Sequence, residues 1–166
     1  MIAQYGYVGL GSNEGDSEAL LAKARQGLGA ATNIQVTRAS RVYRTQPQDW
    51  TDQPWFWNQV LEVRTSLSPL ELLDVTQSLE QELGRRRDGR RYGPRTIDID
   101  ILLLGSLTLQ DPRLTVPHPR LTQRAFVLIP LVEIAPACVL PDGTSVTQAL
   151  SQLVYTCIGG CIWQPY

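Results

Sequence analysis

The chain, 166 residues long, predicts an α+β fold of the ferredoxin-like kind: an antiparallel sheet covered by helices in three α-β-α layers. Three observations predict it. Short apolar or alternating runs recur with strand periodicity, two well-signalled amphipathic helices separate them, and the resulting order reads βαββαβ before further helices begin. At 43 % apolar residues the chain can bury a real core, and its length suits a single domain over 1–166.

Each element has its own signal. Tyr5 to Leu10 is apolar and rich in β-formers, and Gly9-Leu10-Gly11-Ser12-Asn13 reads as its stop. After Asp16 or Ser17, either able to cap, Leu20, Leu21, Ala24 and Leu28 share a helical face, with Gly29 as the expected end. Ile34 to Tyr43 and Asn58 to Ser66 alternate as strands around a polar, Trp-rich loop. Ser68-Pro69-Leu70-Glu71 has the form of a capping box with proline in the first turn, and Leu72, Val75, Leu79 and Leu83 continue that helix to Gly84. Ile97 to Leu104 is a buried central strand, and Leu107 to Leu109 is expected to return against it as a hairpin. Prolines punctuate the stretch after Asp111, Ala125 to Ile134 reads as a helix despite Pro130, and Pro141-Asp142-Gly143 turns into a short last helix. The final stretch, Tyr155 to Tyr166, is expected to pack as a terminal turn.

Composition narrows the function. No run reaches the roughly 20 apolar residues of a membrane span, and the first residues lack the pattern of a signal peptide. A cytoplasmic chain with no membrane partner is expected. The three cysteines, Cys138, Cys157 and Cys161, are expected to be free thiols. A formal net charge of −1 gives no footprint for nucleic acid. With His118 as the sole histidine, a His-rich metal site cannot be built.

The charge is nevertheless concentrated. Six arginines (Arg85, Arg86, Arg87, Arg90, Arg91 and Arg95) fall between Leu83 and Thr96, interleaved with glycines, and Asp98-Ile99-Asp100 follows. Residues two apart on a strand face the same side, so the two carboxylates fit magnesium; alone, the pattern more often marks two solvated aspartates on an exposed strand face. Arginine forks suit phosphate oxygens, although a charge run can also be a bare basic loop. Metal-binding carboxylates and several arginines within about fifteen residues match the needs of phosphoryl transfer, which are positioning and charge stabilisation. His118, in a stiff proline-flanked turn, either meets a phosphate or satisfies local backbone. Trp50, Trp55, Phe56 and Trp57 either stack a planar substrate or pin a loop.

Six blocks then resemble one family. Gly9-Leu10-Gly11-Ser12-Asn13, Tyr43-Arg44-Thr45, Phe56-Trp57-Asn58, Gly93-Pro94-Arg95-Thr96-Ile97-Asp98-Ile99-Asp100-Ile101, Val116-Pro117-His118-Pro119-Arg120 and Arg124-Ala125-Phe126-Val127-Leu128 resemble 6-hydroxymethyl-7,8-dihydropterin pyrophosphokinase in order and spacing. The resemblance implies transfer of pyrophosphate from ATP to the pterin hydroxymethyl group, with release of AMP, in folate synthesis. It implies that Asp98 and Asp100 hold two Mg²⁺ ions, Asp98 also meeting the substrate, and that Arg85 and Arg95 act catalytically on the phosphates. Gln77, Glu80, Arg87, Tyr92, Arg95, Ile101, Arg113, Thr115, His118 and Arg124 are the implied nucleotide contacts. Thr45, Gln46, Gln48, Phe56, Asn58 and Phe126 are the implied pterin contacts. Loops Thr45 to Pro54 and Gly84 to Gly93 are expected to move on binding, and a monomer is expected. Two other readings stay open: a nucleotidyltransferase, which would release pyrophosphate, and an RNA-binding module, against which the near-neutral charge argues.

Overall fold

The protein is described by a computed structural model covering residues 2–86 and 93–165. It has a mixed α/β fold: a seven-stranded sheet, a separate two-stranded sheet and four α-helices among the described residues. In chain order the elements are β1 (Gln4–Ser12), α1 (Ser17–Ala30), β2 (Ile34–Ala39), β3 (Tyr43–Thr45), β4 (Phe56–Thr65), α2 (Pro69–Glu82) and β5 (Asp98–Leu104). They continue with β6 (Leu109–Asp111), β7 (Leu114–Val116), α3 (Ala125–Ile134), α4 (Val146–Ser151), β8 (Thr156–Ile158) and β9 (Cys161–Trp163). The main sheet runs β5-β1-β4-β3-β9-β8, with β2 also paired to β4.

Strand alternation divides the core between the two faces of this sheet. Val8, Leu10, Leu61, Val63, Ile99 and Ile101 point to one face, where Leu21, Ala24 and Leu28 of α1 and Leu72 of α2 bury them. Val60, Leu102 and Leu103 point to the other, under Leu128 and Leu131 of α3 and Val146 of α4. Leu102 and Leu103 share a face because the β1–β5 register slips between Tyr7 and Val8, which leaves Leu102 as an extra residue in β5. The caps follow the sequence: Asp16 accepts from the Ala19 amide, and Ser68 with Glu71 forms the reciprocal box.

Several expectations are corrected. β1 does not stop at Leu10 but runs through Gly11 to Ser12, paired on both sides. α1 passes Gly29 and ends at Ala30. The run Ile34 to Tyr43 is two strands, because Ser40 turns inward: its hydroxyl accepts from the Val60 amide, its carbonyl accepts from Gln59 Nε2, and the ladder restarts at Tyr43. The segment after Leu104 does not return on β5; β6 pairs with β7 instead, across the Pro112-Arg113 turn. The sheet is not wholly antiparallel, since β9 lies parallel to β3. The end of the chain is accordingly no simple turn but a hairpin, β8–β9, that widens the sheet.

Candidate active site

The β1 register places one row of residues across three strands: Asp98 of β5 opposes Gly11, and Gly11 opposes Asn58 of β4. Asp98 and Asn58 thus flank a glycine from two strands apart, a spacing of about 10 Å between backbones. An ideal Cβ on Gly11 would lie 2.9 Å from Asn58 Oδ1, so this position keeps the space between carboxylate and amide open. One row along, Gly9 opposes Asp100. Above these glycines lies a cavity of about 310 Å³ on the α3 side of the sheet. Its walls include Arg85, Arg95, Asp98, Asp100, His118 and Arg124 on one side and Thr45, Gln46, Gln48, Phe56, Asn58 and Phe126 on the other.

The charged side is built around the open edge of β5. Edge backbone groups need partners, and here the Ile99 amide donates to Glu80 Oε1 at 2.7 Å while the Leu102 carbonyl accepts from the His118 amide at 2.9 Å. Arg85 Nη1 bridges Glu80 Oε1, at 2.5 Å, and Asp98 Oδ1, at 2.7 Å. Arg95 Nη1 reaches Asp98 Oδ2 at 2.8 Å, and its guanidinium lies 5.6 Å from the Phe56 ring centre. Burial and the charge of Asp98 raise the Glu80 carboxyl above its ordinary range. Burial together with the same neighbouring charge pushes Asp100 up to about 7.

His118 belongs to this wall as a neutral ring. Its Nδ1 accepts from the Arg120 amide at 3.1 Å, which leaves Nε2 as the donor. Burial, aided by the charge of Arg124, lowers its pKa to about 4. Arg124 is itself lowered by burial and by Arg120, and its Nε is buried without a partner. An unpaired guanidinium nitrogen beside a cavity fits an anionic oxygen.

Two same-face carboxylates, one of them raised by burial and its neighbour, fit a hard divalent cation that completes its shell with water and phosphate. Among the described residues no group of three or more His, Cys, Asp or Glu gathers as a metal-binding cluster, which does not match a closed structural zinc site.

The neutral side is paired within itself. Asn58 Nδ2 donates to Thr45 Oγ1 at 2.5 Å, and both residues are buried. Phe126, at the start of α3, lies under the Arg124 guanidinium at 5.4 Å. The loop between β3 and β4 contributes Gln46, Gln48, Asp49 and Gln53 to the lining, with Asp49 held by Arg120 at 3.0 Å.

Gln77, Glu80, Ile101, Arg113 and Thr115 do not line the cavity. Gln77 and Glu80 lie on α2, Arg113 and Thr115 on the β6–β7 hairpin, and Ile101 is a buried core residue of β5; Arg113 is paired with Asp74. Arg87 and Tyr92 lie outside the described residues, as does most of the arginine-rich loop. Asn13 is a positioning residue that sequence reasoning passed over. Its Oδ1 accepts from the Arg95 amide, and its Nδ2 donates to Gln53 Oε1 and the Pro54 carbonyl, tying the two walls together. Its place at the end of a glycine-bearing strand was the available signal.

Residues 7–136 match the family described as 7,8-dihydro-6-hydroxymethylpterin-pyrophosphokinase (HPPK). The chain belongs to this HPPK family. A relative named 2-amino-4-hydroxy-6-hydroxymethyldihydropteridine pyrophosphokinase, from Methylorubrum extorquens, is 48 % identical over 147 residues, covering 89 % of this chain and 92 % of that protein. A protein of the same name from Bacillus subtilis is 48 % identical over 128 residues, 77 % of this chain and 76 % of that one. Among solved structures, Plasmodium falciparum HPPK-DHPS with pteroate superposes with a TM-score of 0.71 at 14 % identity, over 98 % of this chain and 48 % of that one. The chain thus spans about half the length of that solved protein, and the likeness establishes the HPPK fold alone.

Proposed function

We propose that this HPPK-family chain transfers pyrophosphate from ATP to the hydroxymethyl group of 6-hydroxymethyl-7,8-dihydropterin, releasing AMP, as a step of folate synthesis. The observation that carries this reading is the single row Asp98–Gly11–Asn58, which sets a carboxylate for phosphate chemistry and an amide for a heteroaromatic edge on either side of an open glycine. The pterin lies over Gly11 with its edge toward Asn58 and Thr45, against Phe56 and Phe126, near Gln46 and Gln48.

Asp98 and Asp100 would hold two Mg²⁺ ions, which would supply charge neutralisation at the phosphates. Arg85 and Arg95 are within 2.8 Å of Asp98, so the same guanidiniums reach phosphate oxygens held at that carboxylate. Arg124, with its unpartnered Nε, and the Nε2–H of His118 bind further oxygens. The nucleotide extends along the outer edge of β5 to meet Gln77, Glu80, Ile101, Arg113 and Thr115, with Arg87 and Tyr92 completing its contacts. The hydroxymethyl oxygen, whose proton passes to solvent, attacks the β-phosphorus, the bond from the α,β-bridging oxygen to the β-phosphorus breaks, and AMP leaves with the electron pair. Catalysis is then positioning plus electrostatics, with no covalent intermediate on the protein.

The strand order β5-β1-β4-β2 is read as ferredoxin-like, with one domain acting as a monomer in the cytoplasm. No helix among the described residues is long and apolar enough to cross a membrane. Incubation with ATP, MgCl₂ and the dihydropterin, followed by chromatography of nucleotides, tests the reaction. Pterin-dependent AMP is expected; ADP or pyrophosphate as the product would overturn the proposal.

A further inference from the structure

The family match ends at residue 136, yet residues 162–164 touch the pterin-side loop at Gln46 and Gln48 near its first end and at Trp55 at its far end. At the first end, the Gln46 amide donates to the Ile162 carbonyl at 3.2 Å, extending the parallel β3–β9 pairing. At the far end, the Trp55 and Trp163 rings meet edge to face with centroids 5.3 Å apart. Between them, Gln48 Nε2 donates to Gln164 Oε1 at 3.0 Å.

Gln164 is itself fixed from two other directions. The same Oε1 accepts from the Ala125 amide at 2.8 Å, and Nε2 donates to the Gln123 carbonyl at 2.7 Å. One amide therefore joins the loop to the start of α3, the turn that carries Phe126 and Arg124. Ile162 is buried against Tyr43 and Ala125, which gives the strip a packed base.

We propose that Ile162, Trp163 and Gln164 form a clamp that positions the loop 46–55 over the cavity, and that Gln164 is a positioning residue for the pterin side of the site. The clamp fixes Gln46, Gln48 and Trp55, so closure of the loop is confined to the residues between Gln48 and Trp55. It touches none of the phosphate-side residues named above. Because it meets Gln123 and Ala125, on either side of Arg124, through backbone atoms only, its larger effect falls on the pterin and a smaller one on ATP. This inference rests on the proposed function for the identity of the ligand, and on geometry alone for the clamp.

The test is Gln164→Ala in the full chain, with Gln164→Glu as the conservative variant that keeps the acceptor for Gln48 and the Ala125 amide. Net hydrogen-bond contributions correspond to roughly three- to tenfold changes in an equilibrium constant. In the free protein, hydrogen exchange across 46–55 should quicken by about that factor in Gln164→Ala, with core strands unaltered. With magnesium and a non-hydrolysable ATP analogue present, dihydropterin affinity should fall by a similar factor while analogue affinity falls less; Gln164→Glu should recover part of the loss. Adding Gln48→Ala to Gln164→Ala should cost less than the two single effects multiplied, because both act through one bond. Unchanged exchange at 46–55 would overturn the clamp. So would equal losses of affinity for both ligands, the mark of a general structural role. A wild-type chain that binds no dihydropterin would sink the functional reading instead, and the exchange measurement would still decide whether the clamp exists.

Discussion

The two walls of the cavity solve opposite physical problems. On the charged wall, Asp98 is gripped by two arginines and Asp100 is raised by burial beside it, so like and unlike charges crowd one strand edge. On the neutral wall, Asn58 and Thr45 are buried and bonded to each other, and the loop above them is tied down at several points. The first wall holds charges whose value depends on what binds there; the second is shaped before anything binds. Chemistry should therefore be lost by changing the first wall, and recognition by changing the second.

Asp100→Ala or Asp98→Ala is expected to abolish AMP formation at every pterin concentration while the chain stays folded by circular dichroism. Substantial magnesium-dependent turnover in either would break the contrast. Arg95→Ala is expected to lower kcat by about 10³ to 10⁵, the scale of an arginine that stabilises transferring phosphate charge. An unchanged kcat would move Arg95 to a structural role.

Asn58→Ala should act on the other parameter, raising the pterin KM about ten- to a hundredfold, and the orphaned Thr45 hydroxyl should cost about 1–3 kcal/mol in urea unfolding. Gly11→Ala sharpens the comparison because it sits between the walls. The new Cβ would press on Asn58 Oδ1 at 2.9 Å, so a milder rise in pterin KM and a stability loss of about 1–3 kcal/mol are expected. The smallest effect is in pH. The folded pKa of His118, near 4, lies below its ordinary 6.5, so the folded state binds fewer protons than the unfolded chain between those values. His118 thus destabilises the fold progressively as pH falls from 6.5 to 4. His118→Asn should show a shallower decline over that window; parallel curves would place the ring in a solvated setting.

Much of this was legible in the sequence because its signals are local. The capping box at Ser68, the alternation of β4 and the Asp98–Asp100 spacing each depend on residues within a few positions of one another. The neutral-wall residues Thr45, Gln46, Gln48, Phe56, Asn58 and Phe126 came from motif resemblance, and all of them line one cavity. Non-local facts were not legible. Nothing near Gly29 announces that α1 continues past it, and the inward turn of Ser40 depends on partners in β4, some twenty residues away. The hairpin β8–β9 has a local signal, Gly159-Gly160 at positive φ between two short runs, that the expected terminal turn passed over; only its pairing with β3, more than a hundred residues earlier, was out of reach. The glycines of β1 look like a strand stop in isolation and become a floor only once β4 and β5 flank them.

The most direct test of the two-wall account is one assay of AMP release in which wild type, Asp100→Ala and Asn58→Ala are titrated with dihydropterin at saturating ATP and magnesium. The account predicts that Asn58→Ala climbs toward the wild-type rate as pterin rises, while Asp100→Ala stays at background throughout. Equal failure of both variants at high pterin, or recovery of Asp100→Ala, would contradict it.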